Sequence, residues 1–386
     1  MLFEQHARYI LRLFRSATLC QPEVSVMSRV FNFCAGPAAM PEPVLLRAQE
    51  EFLSWGKRGS SVLEMSHRSD EFVQIARHAE QGLRDLMHIP ENYKILLLQG
   101  GASAQFAFIP MNILGGKRTA DYISTGIWSE KAIEEARNYC DVNVTATGAA
   151  DGFTRIPDRE QWKLNPNAAY VHYTPNETVN GVEFHWIPET GDVPLVADMS
   201  STILSRPIDV SKFGLIYAGA QKNIGPSGIA VVIVREDLIG RPLPQTPRPF
   251  DYAVQVKDAS LYNTPPTFGW YLIDLVFDWL RQQGGPEAMG PINARKAAKL
   301  YQVIDASDFY SNAVAAECRS WMNIPFRLAD PRLDPVFLKQ AAENNMVNLN
   351  GFRSVGGMRA SIYNAVPEAA VDALCAFMRD FEKRHG

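Results

Sequence analysis

The feature that most constrains the fold is a series of short, almost uninterrupted apolar runs in the middle of the chain. These runs are "YKILLLQ" (Tyr93–Gln99), "AAYVHYT" (Ala168–Thr174), "PLVADMS" (Pro194–Ser200) and "FGLIYAGA" (Phe213–Ala220). Strands without a polar side must be buried on both faces, which is typical of a parallel sheet covered by helices. We therefore predict an α/β fold whose large domain is built around a mostly parallel sheet.

The next apolar run, "IAVVIVR" (Ile229–Arg235), follows Ala220 too closely for a helical crossover, so we predict that these two strands are antiparallel. A helix is predicted at Trp270–Gln283, where Gly284 and Gly285 end it. Helix and strand patterns then alternate to the end of the chain, in "ARKAAKLYQVID", "RSWMNIPFRLAD", "DPVFLKQAAENN" and "GGMRASIYNA". This second region is predicted to be a smaller α+β domain.

We predict that the chain divides into an N-terminal extension outside the fold (1–27), a large domain (28–283) and a small C-terminal domain (284–386). The first residues of the large domain, 28–40, are expected to pack on the small domain. The extension is amphipathic and rich in arginine, which resembles a transit peptide. Met27 as the true start of the protein is the alternative, and the sequence leaves both open.

Composition excludes several classes of function. The net charge is −4 and no basic cluster is present, which argues against nucleic acid as a partner. No apolar stretch approaches the roughly 18 residues that a membrane span requires. The five cysteines are widely spaced without a CxxC pair, and HExxH is absent, so neither a disulfide framework nor a metal site is predicted. We expect a cytoplasmic protein.

The strand at Tyr93–Gln99 is followed by "GGASAQF", in which Gly100 and Gly101 precede Ser103 at a predicted helix start. Backbone N–H groups and a hydroxyl in this arrangement suit a phosphate group. A strand–glycine–helix turn also occurs for packing reasons alone. The sequence lacks GxGxxG and GxxxxGK[ST], which disfavours nicotinamide and nucleoside triphosphate cofactors.

Asp198 and Lys222 end two consecutive predicted strands, so parallel pairing would place both at one edge of the sheet. A lysine, an acid and a phosphate cradle at one edge are what pyridoxal 5′-phosphate (PLP) needs. The amine binds the aldehyde, and the acid keeps the pyridine nitrogen protonated so that the ring accepts electrons. A helix cap for Asp198 and a solvated loop position for Lys222 are the alternatives.

Other residues are candidates for contacts with the ring or with substrate. Trp128 follows another strand in "STGIWSE" and would stack on the ring, although core packing explains it equally well. Arg68, Arg353 and Arg359 are candidates for substrate carboxylates, because arginine binds them through two hydrogen bonds. Each of these arginines taken alone also fits an ordinary surface position.

Eight motifs together resemble the phosphoserine aminotransferase family, in order from residue 28 onward. They are "FNFCAGPAAMP", "EMSHRS", "GGASAQF", "TPNETVNGVEF", "DMSSTILSRPIDV", "IYAGAQKNIGPSG", "YNTPPTF" and "GGMRASIYNA". The resemblance implies the type I fold of PLP enzymes and a homodimer with its active sites at the subunit interface. It also implies amino transfer between glutamate and 3-phosphohydroxypyruvate in serine synthesis, with a phosphorylated four-carbon analogue used in pyridoxine synthesis by bacterial members.

The resemblance also implies roles for individual residues. The expected cofactor contacts are Ala102, Ser103, Trp128, Thr178, Asp198, Gln221, Lys222, Asn263 and Thr264. The expected substrate contacts are His67, Arg68, Arg353 and Arg359. Lys222 and Asp198 are the implied catalytic pair, and Asn263 and Thr264 are implied to serve the active site of the partner subunit.

The sequence departs from the family pattern at two positions. Some members have arginine in place of Ser103, although serine also occurs there. Many members have histidine where this chain has Phe352, which cannot donate a hydrogen bond to a phosphate. Another small-substrate aminotransferase, a desulfurase, and a non-catalytic binding protein that kept the fold are the competing hypotheses.

Overall fold

The computed structural model describes residues 29–353 and 355–386, so the predicted extension at 1–27 lies outside the described residues. The strands are β1 (Phe31–Asn32), β2 (Tyr93–Gln99), β3 (Thr119–Ser124), β4 (Asp141–Thr147), β5 (Val171–Tyr173), β6 (Leu195–Asp198), β7 (Leu215–Gly219), β8 (Ile229–Arg235), β9 (Tyr310–Ser311), β10 (Asn323–Leu328), β11 (Met346–Val347) and β12 (Met358–Ser361). The α-helices are α1 (Glu42–Glu50), α2 (Asp70–Leu86), α3 (Gly101–Ile113), α4 (Ile127–Ala136), α5 (Tyr252–Lys257), α6 (Thr267–Gln282), α7 (Gly285–Asp305), α8 (Asp334–Glu343) and α9 (Glu368–His385).

The central sheet has the strand order β2-β8-β7-β6-β5-β3-β4. Strands β3 to β7 pair in parallel, whereas β8 is antiparallel to both β2 and β7. The predicted mostly parallel sheet and the predicted antiparallel pairing of the two strands around Lys222 are therefore confirmed. In the parallel register Asp198 is the partner of Tyr217, so β6 and β7 end at the same edge.

The strands are shorter than the apolar runs that predict them. The run Ala168–Thr174 contributes only Val171–Tyr173 to the ladder, and Pro194–Ser200 contributes only Leu195–Asp198. Thr174 and Ser200 lie beyond the strand ends and line a cavity at the edge of the sheet. Apolar patterning marks burial, and these residues are buried without being part of the ladder.

Both faces of the central sheet are buried, as continuous apolar strands require. One core lies under α2 and α6 and contains side chains such as Phe72, Ile216 and Phe277. The core on the other face contains Phe106, Tyr217 and Val232, with α3 packed against β7 and β8. The sheet therefore separates two cores.

A third core surrounds a smaller antiparallel sheet with the order β12-β10-β9. Helices α7 and α9 contact each other beside this sheet, and Phe33 from the start of the described chain belongs to the same core. Residues Phe31–Gly386 form one compact unit, and the division at 283/284 stays a prediction. Within the described residues, no helix is long and apolar enough to cross a membrane.

The segment after β5 crosses to the smaller sheet at Gly181. This glycine has φ +74°, and a Cβ atom there would lie 2.5 Å from Pro325 Cδ and 2.9 Å from the Asn323 carbonyl oxygen. The Ser320 N–H donates to the Gly181 carbonyl at 3.0 Å, which fixes the crossing. Glycine is therefore required here for both conformation and space.

We expect Gly181→Ala to destabilise the protein more than Gly191→Ala. Gly191 also has a positive φ, +61°, but a Cβ atom there would have no other atom within 4 Å. The Gly191 variant should lose about 1 kcal/mol of unfolding free energy from backbone strain alone. The Gly181 variant should lose about 3 kcal/mol because overpacking adds to the same strain. Urea unfolding of both variants measures the difference, and equal losses would contradict the packing argument.

Candidate active site

A cavity of about 490 Å³ opens at the carboxyl ends of β5, β6 and β7. Polar groups from separate segments meet here because parallel strands end at one edge of a sheet. Its lining includes Ala35, Gly36, Gly100, Gly101, Ala102, Ser103, Trp128, Thr174, Asn176, Thr178, Asp198, Ser200, Ser201, Gly219, Gln221, Lys222, Phe352 and Arg359.

Lys222 is buried in this cavity, with 9% of its surface exposed. It lies in the turn after β7, and its Nζ donates to Thr178 Oγ1 at 2.7 Å. Burial lowers the pKa of Lys222 to about 8, with Asp198 opposing the shift and the Arg359 charge adding to it. A buried amine with a lowered pKa is a better nucleophile and base near neutral pH than a solvated lysine.

Asp198 ends β6 and is also buried, with 5% of its surface exposed. Its Oδ1 accepts hydrogen bonds from the Ser200 N–H at 3.0 Å and the Ser200 hydroxyl at 2.5 Å. Burial raises the pKa of Asp198, whereas the Ser200 hydrogen bonds and the Lys222 charge lower it. The carboxyl group is therefore held in a fixed orientation at the sheet edge.

Thr178 joins Lys222 to a residue of the smaller sheet. Arg359, on β12, donates from Nη1 to the Thr178 carbonyl oxygen at 3.2 Å. The Thr178 hydroxyl accepts from Lys222, so one residue contacts both cationic side chains. A guanidinium in this position can bind a carboxylate of a molecule in the cavity.

Helix α3 begins at the cavity with its first turn open. Its N-cap, Gly100, has φ +98°, and no side chain of the described residues caps the helix. A Cβ at Gly100 would lie 2.6 Å from Ala104 Cβ, so a side chain there would clash. The exposed N–H groups and the positive end of the helix dipole favour an anion beside Ala102 and Ser103.

Trp128 lies in the first turn of α4 and lines the same cavity. Its backbone N–H donates to Glu177 Oε2 at 3.0 Å. Glu177 is fully buried, and burial raises its pKa to about 7 against the opposing effect of hydrogen bonds from Ser129 and Trp128. The site therefore contains a second carboxyl group that does not line the cavity itself.

Gln221 lies between Lys222 and the segment that follows β1. The Ala38 N–H donates to the Gln221 carbonyl oxygen at 2.8 Å. A Cβ at Gly36 would lie 3.4 Å from Gln221 Nε2, so this glycine lets the segment pass close to the side chain. The N-terminal part of the described chain thereby forms one wall of the cavity.

The cavity has the donors and acceptors that PLP requires. Three buried polar atoms of lining residues have no hydrogen-bond partner within the described chain: Trp128 Nε1, Thr174 Oγ1 and Asn176 Oδ1. An acid, a lysine with a lowered pKa and an open helix N-terminus surround the same space. These residues fit a flat ring that carries an aldehyde and a phosphate.

The structure brings most of the predicted site residues together and leaves others apart. The residues that line the cavity are Ala102, Ser103, Trp128, Thr178, Asp198, Gln221, Lys222 and Arg359. Those that do not line it are His67, Arg68, Asn263, Thr264 and Arg353. Phe352 lines it, so an apolar ring is present in the same cavity as Arg359.

Sequence reasoning missed Asn176, Glu177 and Ser200 as parts of the site. Asn176 Nδ2 donates to Ser201 Oγ at 3.0 Å and to Asn323 Oδ1 at 2.9 Å. The signal in the sequence is weak, because Asn176 and Glu177 are polar residues that simply follow a strand. Their partners are distant in sequence, and only the folded chain shows them.

The cysteines offer little to a desulfurase mechanism. The four within the described chain, Cys34, Cys140, Cys318 and Cys375, are free thiols. Burial raises the pKa of the Cys140 and Cys375 thiols to about 11, which disfavours the thiolate that a reactive cysteine needs. Among the described residues, no group of three or more His, Cys, Asp or Glu side chains could hold a metal ion.

The family model for class-V aminotransferases matches residues 30–374 of this chain. A phosphoserine aminotransferase from Pseudomonas syringae pv. syringae is 63% identical over 93% of this chain and 99% of its own length. A homologue from Azotobacter vinelandii with the same name is 62% identical over the same shares.

Solved structures of phosphoserine aminotransferases are also similar. The enzyme from Bacillus circulans subsp. alkalophilus has a TM-score of 0.90 and 48% identity, over 93% of this chain and 99% of its own. A PLP-bound enzyme from Trichomonas vaginalis has a TM-score of 0.87 and 42% identity, over 91% of this chain and all of its own. The chain therefore belongs to the class-V aminotransferase family, as a PLP-dependent transaminase of the phosphoserine aminotransferase group.

Proposed function

We propose that this protein catalyses reversible amino transfer between glutamate and 3-phosphohydroxypyruvate, giving O-phospho-L-serine and 2-oxoglutarate. The observation that carries the proposal is the buried Lys222 amine, which donates a hydrogen bond to Thr178 and lies in one cavity with Asp198 and Arg359. Relatives named phosphoserine aminotransferase that match almost the whole chain favour the phosphorylated substrate. The reaction would belong to serine biosynthesis.

In this proposal Asp198 holds the pyridine nitrogen of PLP, and the start of α3 at Ala102 and Ser103 holds the phosphate. Trp128 stacks on the ring, Thr178 binds the ring hydroxyl, and Gln221 contacts the phosphate. When bound, PLP supplies an electron sink for the charge that develops at the substrate Cα. Asp198 supports this role because a carboxylate beside the ring nitrogen keeps that nitrogen protonated.

Lys222 is proposed to move the proton. A neutral amine at Nζ would take the proton from the substrate Cα and deliver it to the C4′ carbon of PLP, and the second half of the reaction would run the same transfer in reverse. Its lowered pKa, about 8, keeps a usable fraction neutral near physiological pH. The hydrogen bond to Thr178 Oγ1 and the burial of the side chain keep the amine oriented and away from bulk water.

Arg359 is proposed to bind the α-carboxylate of either substrate. Its guanidinium is anchored through Nη1 to the Thr178 carbonyl, which leaves other N–H groups available for a ligand. His67, Arg68 and Arg353 are expected to bind the remaining carboxylate or phosphate. Because these three residues do not line the cavity of a single chain, we propose that a second copy of the chain is needed to complete the substrate site.

A homodimer is supported by apolar side chains that a single chain leaves exposed. They lie on α1 and the segments that follow it: Leu45, Leu46, Phe52, Leu53 and Leu63. Leu53 is 81% exposed, and exposed apolar side chains grouped along one stretch of chain are typical of a surface that a partner covers. In the dimer, Asn263 and Thr264 are proposed to reach the cofactor phosphate of the partner subunit.

A second candidate substrate follows from the apolar character of Phe352. A histidine at that position would donate to a substrate phosphate, whereas the phenyl ring offers only an apolar surface. This favours testing a sibling aminotransferase activity on unphosphorylated alanine or serine. The phosphorylated four-carbon analogue of pyridoxine biosynthesis is a further proposed substrate.

We also propose that the protein is cytoplasmic. Free cysteine thiols, such as those of the described chain, are typical of a reducing compartment.

We expect Lys222→Ala to abolish the shifted absorbance band that PLP acquires when it is covalently held by a lysine. Lys339→Ala is the matched control, because the Lys339 side chain is 78% exposed and lies on the surface of α8. An absorbance spectrum of each purified variant with added PLP distinguishes them. Retention of the band in the Lys222 variant would contradict the assignment of the lysine.

The rate at which the apoenzyme takes up PLP should depend on pH through Lys222. Since its pKa is lowered to about 8, the neutral amine becomes populated as the pH rises through that value, and the rate should level off above it. Stopped-flow absorbance across the pH range measures this profile. Arg359→Met should move the midpoint upward, because the guanidinium charge lowers the pKa of Lys222. A rate that keeps rising to the ordinary lysine value of 10.5 would overturn the argument.

The proposed reaction is tested by mixing the PLP-loaded enzyme with O-phospho-L-serine and 2-oxoglutarate and assaying glutamate. We expect glutamate to form, with a kcat/KM for phosphoserine at least about a hundredfold above that for serine or alanine, as expected for recognition of a charged group. Absence of glutamate with phosphoserine, together with activity on alanine or serine, would transfer the assignment to a sibling enzyme.

A further inference from the structure

Helix α4, which carries Trp128, begins at a residue that has no side chain to cap it. Its N-cap residue is Gly126, which has no side-chain oxygen to accept from the first turn. The N–H groups of the first turn of a helix have no partner within the helix and need acceptors from elsewhere. The acceptors here come from the segment after β5, which is distant in sequence.

Glu177 supplies most of these acceptors. Its Oε2 accepts from the Trp128 N–H at 3.0 Å, and its Oε1 accepts from the Ser129 N–H at 2.9 Å and the Ser129 hydroxyl at 2.7 Å. Asn180 Oδ1 accepts from the Ile127 N–H at 3.3 Å. The carboxyl group also lies at the positive end of the helix dipole, which favours its ionised form.

Gly126 provides the space for this contact. Its φ of 166° is ordinary extended backbone, so glycine is not required there for conformation. A Cβ atom at this position would lie 2.6 Å from Glu177 Cδ and 2.6 Å from Asn180 Oδ1. The glycine therefore lets the two side chains reach the helix end, and any other residue would push them away.

The same turn fixes Glu177 in relation to Lys222. The Glu177 N–H donates to the Val182 carbonyl, and the Gly181 N–H donates to the Glu177 carbonyl, both at 2.8 Å. Thr178 follows directly and accepts the hydrogen bond from Lys222 Nζ. A displacement of Glu177 would therefore alter the position of Trp128 on one side and of Thr178 on the other.

We propose that Glu177 is a positioning residue for the cofactor, which holds Trp128 against the ring by capping the helix that carries it. The proposal rests on the proposed function, in which Trp128 stacks on PLP. Glu177 does not line the cavity, and its hydrogen bonds reach the site through the backbone of Trp128. Its complete burial means that its carboxyl group has protein partners in place of water.

A double-mutant cycle between Glu177 and Trp128 tests the proposal. The probe is pyridoxine 5′-phosphate, which has the ring and the phosphate but no aldehyde, so its binding to the apoenzyme is non-covalent and measurable by calorimetry. Glu177→Gln keeps the shape of the side chain but replaces one acceptor oxygen with a donor. We expect it to weaken binding about tenfold, the effect of one lost charge-assisted hydrogen bond.

In a Trp128→Ala background, the same Glu177→Gln change should weaken binding less than about twofold, because the ring that Glu177 positions is already absent. Equal weakening in both backgrounds would overturn the proposal, and so would unchanged binding in the single variant. Asp330→Asn is the matched control, since Asp330 caps a surface turn through the Arg332 N–H. This control should leave binding unchanged.

Ser129→Ala repeats the cycle if Glu177→Gln does not fold. This variant removes one of the three donors to Glu177, together with the Oγ acceptor of the Thr125 and Gly126 N–H groups, and leaves the carboxyl group in place. It should weaken binding about threefold, and only when Trp128 is present. A wild-type protein that fails to bind the probe would refute the proposed function, whereas binding with additive effects would refute the positioning role alone.

Discussion

The site depends on one costly arrangement, a lysine amine and an aspartate carboxyl group buried at the same edge of the sheet. Burial disfavours the charged form of each, and their mutual attraction only partly offsets this. Ser200 and Thr178 supply the hydrogen bonds that make the burial tolerable. The result is an amine whose pKa lies nearer to neutral, which is the property that a transaminase lysine needs.

Three consecutive residues after β5 connect the parts of the site. Asn176 bonds to Ser201 and to Asn323 of the smaller sheet, Glu177 caps the helix of Trp128, and Thr178 contacts Lys222 and Arg359. Their carbonyl and side-chain groups point in different directions because the chain leaves the strand here and turns. A short irregular segment thus sets the distances among groups from both the central and the smaller sheet.

Much of the architecture was predictable because apolar runs report burial directly. Continuous runs predicted the parallel sheet, and the short connection around Lys222 predicted an antiparallel pair. Parallel pairing then predicted that Asp198 and Lys222 lie at the same edge of the sheet. Gly100 indicated the start of helix α3, whose first turn is open to a ligand. The predicted ends of the strands were less accurate. Thr174 and Ser200 are buried around the cavity, so they are part of the apolar runs, but they do not belong to the strands.

The sequence by itself determined which residues are the candidates for the chemistry, because residue type and position at a strand end limit what Lys222, Asp198 and the Gly100–Gly101 turn can do. Only the tertiary structure decided which other groups meet them. Glu177 was invisible as a helix cap because Trp128 lies far away along the chain, and no local pattern encodes such a contact. The single chain likewise leaves His67 and Arg68 outside the cavity. The neighbours of a buried charged group depend on contacts between residues that are far apart in the sequence. The periodicity of the sequence indicates only that a residue is buried.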